Sequence, residues 1–198
     1  MASGAGQVAR ILYKEIVPGD LRKILAQSND ADSGGGARDF RFGSYLSIAP
    51  AVKQMLPNQV VENRRRNQAT VPTTIYSGHF HWQDAAGDTH SAVSYFEPPT
   101  DARPSEGRIT RVHDQPCLAT SRLPQHGEGN RIFLLLIQLL DGTVWPFYAQ
   151  EQTLRTPGMW DPQVAQRMLQ GIDAKRPASR AAIGFFDFTN NDFYTNGR

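Results

Sequence analysis

The chain has 198 residues, 39% of them hydrophobic and 20% charged, with a formal net charge of +2 and one cysteine. That length and hydrophobic share suit a single folded domain with a real core and argue against a disordered chain. The lone Cys117 excludes an internal disulfide and any multi-cysteine metal centre, and the longest apolar run, over residues 132–140, is too short to cross a bilayer as a helix.

In chain order, Val8–Val17 ("VARILYKEIV") reads as a first strand, stopped by "PGD". Asp20 is the expected N-cap of a helix in which Leu21, Ile24 and Leu25 have helical spacing, ending near Ser28. A flexible glycine-rich loop is expected over 28–37, followed by a short strand in which Phe40 and Phe42 face inward and Arg41 outward. Tyr45–Leu56 reads as a second helix closed by Pro57, Gln59–Glu62 as extended chain, and "NRRRNQ" as a turn or strand start.

Thr73–Trp82 alternates as a strand, with Gly78 read as a bulge and "QDAAGD" as the hairpin turn into a return strand at His90–Phe96. A proline-stiffened loop leads to a strand at Arg108–His113, and "RLPQHGEGN" forms another loop. Ile132–Leu139 reads as the central buried strand, Asp141–Gly142 as a two-residue turn and Thr143–Tyr148 as the return. Asp161 caps a helix that starts at Pro162 and places Val164, Ala165, Met168, Leu169 and Ile172 on one face. Ala181–Phe188 and Phe193–Thr195 complete the set. Strands joined mainly as hairpins predict an α+β fold, one domain over 1–198, with a mainly antiparallel sheet of about eight strands curled into a barrel-like core and two or three short helices.

Charge is uneven along the chain. Residues 1–70 carry a balance of +4, residues 71–130 of −3 and residues 131–198 of +1. The positive third contains Arg38, Arg41, Lys53 and the run Arg64, Arg65, Arg66. Arginine suits phosphates and guanine edges because its planar fork donates two parallel hydrogen bonds. Gly34, Gly35 and Gly36 would allow close approach to a nucleic-acid backbone, although no Gly-Lys-Ser/Thr follows them as a phosphate loop requires. Asp39 could accept from a cytosine amine, orient Arg38 or Arg41, or form a structural salt bridge.

Catalytic signals are sparse. His79 and His81 share a strand face, and His90 on the partner strand makes a three-histidine zinc site conceivable. Asp141, Glu151, Asp187 and Asp192 are the carboxylates open to metal-dependent hydrolysis, but none of the four lysines completes an acid-acid-lysine set. Cys117 near His113 lacks a specific nucleophile pattern. No residue pattern demands a cofactor.

The opening layout, strand "ILYKEIVPGD", then helix, then "SGGGARDFRF", resembles the N-terminal effector-DNA-binding domain of type IIE restriction endonucleases, a relative of plant B3 domains. The resemblance implies a pseudobarrel flanked by short helices, sequence-specific duplex binding through loops and strand edges, and no catalysis within the domain. It also implies a bacterial restriction or phage-defence setting. The expectation is thus a cytoplasmic, non-membrane DNA-binding module, with a possible protein partner. The alternatives are a small metal-dependent nuclease or hydrolase using Asp187 and a histidine, and a protein-interaction or small-ligand-binding subunit.

Overall fold

The computed structural model describes residues 7–25, 39–66, 69–99, 104–110, 115–125, 129–174 and 181–196. Ten strands and four α-helices lie among them: β1 Val8–Glu15, α1 Pro18–Leu25, β2 Phe40–Phe42, α2 Tyr45–Met55, β3 Asn58–Arg66, β4 Ala69–Gln83, β5 Thr89–Glu97, β6 Gly107–Thr110, β7 Ile132–Leu139, β8 Val144–Gln150, α3 Glu151–Arg155, α4 Pro162–Asp173, β9 Ile183–Asp187 and β10 Asp192–Thr195. The strand order is β10-β9-β1-β7-β8-β4-β5-β6-β2, with β3 added to β4. Every pairing is antiparallel except the short parallel contact of β4 with β8 at Phe80 and Val144. The fold is therefore α+β with a curled, half-barrel sheet.

Alternation along the strands builds two cores. Leu12, Leu134, Leu136, Val144, Phe80, Phe96, Ile109, Phe40, Phe42 and Phe185 point to the inside of the curl, where Ile48, Val52 and Met55 of α2 fill it. The sheet curls far enough that a β-carbon at Gly43, just after β2, would lie 3.8 Å from Ile183 of β9. On the other side of β1, β7, β8 and β9, residues Ile11, Tyr13, Phe133, Leu135 and Phe186 meet Leu154 of α3 and Val164, Met168 and Ile172 of α4. β7 is buried on both faces, which explains why its sequence "IFLLLIQL" is continuously apolar rather than alternating.

Several local readings need correction. α1 starts at Pro18, a favourable first helical position, so Asp20 lies inside the first turn. Its carboxylate accepts from the Val17 N–H at 3.2 Å and pairs with the buried Lys14 ammonium. The arginine run is not a turn: β3 continues through Arg66. Gly78 is not a bulge, because the β4–β5 register runs unbroken through Gly78 opposite Ser94. It is glycine because a β-carbon there would stand 2.9 Å from Leu56 Cδ2 and 3.0 Å from the Met55 carbonyl. The inward face of β4 is Tyr76, Gly78, Phe80 and Trp82, while Ile75 and Ser77 face the other way with His79 and His81. α3 was not expected, nor were two single 3₁₀ turns at Pro116–Leu118 and Thr120–Arg122. Among the described residues, no helix is long and apolar enough to cross a membrane.

Candidate nucleic-acid interface

Phe40 and Phe42 are 1% and 0% exposed, so β2 is anchored by its aromatics and turns Asp39 and Arg41 to the outer face. β2 pairs with β6 so that Arg41 stands opposite Arg108, and β6 pairs with β5 so that Arg108 stands opposite Glu97. Arg108 serves both neighbouring acids. Its Nε donates to Glu97 Oε2 at 2.8 Å, its Nη2 donates to the same oxygen, and its Nη1 donates to Asp39 Oδ2 at 2.9 Å. Glu97 and Asp39 are 1% and 6% exposed, and carboxylates so far from water need such a fork. Asp39 therefore neutralises Arg108 rather than Arg41. The half-buried Arg41 side chain makes no ion pair or hydrogen bond among the described residues.

The larger basic feature is a ribbon. β3 pairs with β4 from Asn58 opposite Ser77 to Arg66 opposite Ala69, without a break. β5 joins β4 only from Tyr76 onward, so residues 69–75 have β3 as their one strand partner among the described residues. Pro72 is tolerated inside β4 because its missing N–H is not needed by a second neighbour there. The root of the ribbon is firm, with Thr73, Ile75 and Ser77 buried, while Val60, Val61 and Val71 are exposed. Arg64, Arg65 and Arg66 occupy register positions opposite Val71, Thr70 and Ala69, at the closing end of the ribbon.

The structure does not gather all the predicted basic residues. Lys53 is exposed in the last turn of α2, its ammonium 6.0 Å from the centre of the Tyr76 ring at the ribbon's root. Arg41 lies four strand spacings from β3 along the sheet, roughly 19 Å. Arg38, Gly34–Gly36 and the 28–37 loop lie outside the described residues.

The three histidines do not converge. His90 pairs in register with Trp82 and stacks on it at 5.7 Å, on the face opposite His79 and His81. His90 Nε2 meets Asp84 Oδ2 at 2.9 Å, and this bond is the main reason the Asp84 carboxyl is held below its ordinary value. Among the described residues, no group of three His, Cys, Asp or Glu is placed to hold a metal.

The four carboxylates have structural partners or stand at the surface. Asp141 accepts from Thr143 N and Oγ1 at 2.9 and 2.7 Å, closing its turn. Glu151 is bracketed by Arg131 at 2.6 Å and Arg155 at 2.8 Å. Asp187 accepts from Arg10 at 2.7 Å and from Thr189 at 2.6 Å. Burial pushes Asp187 up, but these hydrogen bonds outweigh it and bring the carboxyl below its ordinary value. Asp192 stands exposed opposite Asp187. Cys117 is buried, and that burial pushes its thiol up to about 11, away from nucleophilic character.

Sequence reasoning missed the Asp39–Arg108–Glu97 bridge. Its members are 69 and 11 positions apart, and only the β2–β6–β5 pairing brings them together. Compared with known protein families, curated proteins and solved structures, the chain gives no match.

Proposed function

We propose that this chain binds duplex nucleic acid, most naturally DNA, through the β3–β4 ribbon. The observation that carries the reading is the placement of Arg64, Arg65 and Arg66 at the closing end of a two-stranded antiparallel ribbon that outruns the rest of the sheet. Two strands about 4.8 Å apart, with their side chains, match a major groove about 12 Å wide, which admits a two-stranded ribbon. Three consecutive arginines supply phosphate contacts and forks for guanine edges. Arg41, unpaired among the described residues, offers a further phosphate contact on the outer face. The layout of the first sixty or so residues, similar to effector-DNA-binding domains, supports the same reading and suggests a restriction or phage-defence setting.

Affinity then rests on a local patch rather than on the net charge of +2. The test is titration of a labelled duplex at low salt, read by fluorescence anisotropy. Wild-type protein should bind, and the Arg64→Ala/Arg65→Ala/Arg66→Ala variant should bind at least about tenfold more weakly. Absence of duplex binding by the wild-type protein, or equal binding by the variant, would refute the reading.

A further inference from the structure

We infer that the ribbon meets nucleic acid with the face that carries Tyr76, and that Lys53, Tyr76 and Gln59 form a second phosphate contact at its root. The inference rests on the duplex-binding reading and adds a contact that the arginine run does not supply. Because β3 and β4 pair in register, Gln59, Val61, Thr74 and Tyr76 share one face of the ribbon, and Glu62, Thr73, Ile75 and Ser77 share the other. The two faces differ in access and in charge. On the first, Gln59, Val61 and Thr74 are exposed and Tyr76 is half-buried. On the second, Thr73, Ile75 and Ser77 are buried, and Glu62, the one acid in β3 or β4, stands there. A polyanion is therefore admitted by the first face and opposed by the second.

Two further donors flank Tyr76. Gln59 stands directly opposite it, which puts both side chains on one side of the sheet. Lys53, in the last turn of α2, holds its ammonium 6.0 Å from the centre of the Tyr76 ring. Neither Lys53 nor Gln59 makes an ion pair or hydrogen bond among the described residues. Tyr76 is steadied by Tyr45, which is 7% exposed and stacks on Phe96 at 5.8 Å. Burial, and then the neighbouring Tyr76 hydroxyl, push the Tyr45 phenol up, so it stays neutral beside Tyr76. One cation and two neutral donors, with no acid among them, suit phosphate oxygens. The strand from Gln59 to Arg65 is about 20 Å long. Root and closing end can thus reach the backbones on either side of a groove about 12 Å wide.

The experiment is the duplex titration repeated over a series of salt concentrations with variants of the full chain, circular dichroism confirming that each is folded. Lys53→Met should bind roughly fivefold more weakly and make the slope of log K against log salt shallower by about 0.9, while Lys53→Arg should keep the wild-type slope. Gln59→Glu and Asn58→Glu place the same added charge at neighbouring exposed positions on opposite faces. The first should weaken binding roughly fivefold and the second less than about twofold. Absence of wild-type binding, or a triple arginine variant that binds equally, refutes the duplex-binding reading and this inference with it. Where the wild type binds and the triple variant weakens, an unchanged slope for Lys53→Met, or an Asn58→Glu loss equal to that of Gln59→Glu, would overturn the inference alone.

Discussion

Arg108 is the residue on which the outer face depends. Replacing it with Met would keep the aliphatic stem but leave Glu97 and Asp39 buried without their shared cation. The expected loss is roughly 3 kcal/mol, scaled down from the strongest buried pairs because Arg108 is about one-third exposed. Denaturant unfolding of Arg108→Met checks it; Arg41→Met, which breaks no ion pair among the described residues, should stay within about 0.5 kcal/mol of wild type.

At the same scale, Tyr13 is held between Gly171 of α4 and Gly184 of β9. A β-carbon at Gly171 would overlap the Tyr13 hydroxyl, and one at Gly184 would stand 2.5 Å from it. Gly171→Ala should therefore cost about 2–3 kcal/mol by overpacking. Tyr13→Phe in the same chain should recover part of that loss, and thermal unfolding of the pair of variants reads both effects.

The acid response belongs here too. Asp187 and Glu151 are held below their ordinary values: Asp187 by bonds that outweigh its burial, Glu151 chiefly by its bond from Arg131. A depressed carboxyl stabilises the fold above its unfolded pKa, and that stability disappears as pH falls through the folded value. Melting temperature should thus fall as pH drops from about 4, the ordinary carboxylate range, and Asp187→Asn should flatten part of that slope.

Among the elements, legibility followed the strength of local chemistry. α4 was readable because Asp161 caps it, accepting from Gln163 N at 2.9 Å and Val164 N at 3.1 Å, with Pro162 behind it. Asp161→Ala should cost about 1 kcal/mol, measurable by urea unfolding. β7 and its return strand were readable from an apolar run and an Asp-Gly turn. β2 was readable because two phenylalanines flank one arginine, and both are buried as that pattern predicts. β3 was not fully readable: polar "ENRRR" has no hydrophobic period, and only nine cross-strand pairings with β4 hold it extended. Gly78 misled for a related reason, since the groups that demand a glycine, the Leu56 side chain and the Met55 carbonyl, arrive from the C-terminal end of α2 and the residue after it. The Asp39–Arg108–Glu97 bridge was likewise invisible, because pairing of three strands creates it.

For the whole molecule, the half-barrel divides its labour. Helices α3 and α4 cover the outer face of β1, β7, β8 and β9, and α2 fills the inside of the curl. The ribbon extends beyond that packed body from a buried root at Ile75 and Ser77, and it carries the arginine run. Under the proposed reading, rigidity at the root with polar chemistry at the far end would present cations to a groove.

The salt dependence of duplex binding tests that account most directly. Each phosphate contact contributes about −0.9 to the slope of log K against log salt, so removing Arg64, Arg65 and Arg66 together should make the slope shallower by about 3 while weakening binding to all sequences. A wild-type protein that does not bind duplex at low salt, or a triple variant with an unchanged slope, would contradict the assignment of the ribbon as the nucleic-acid-binding element.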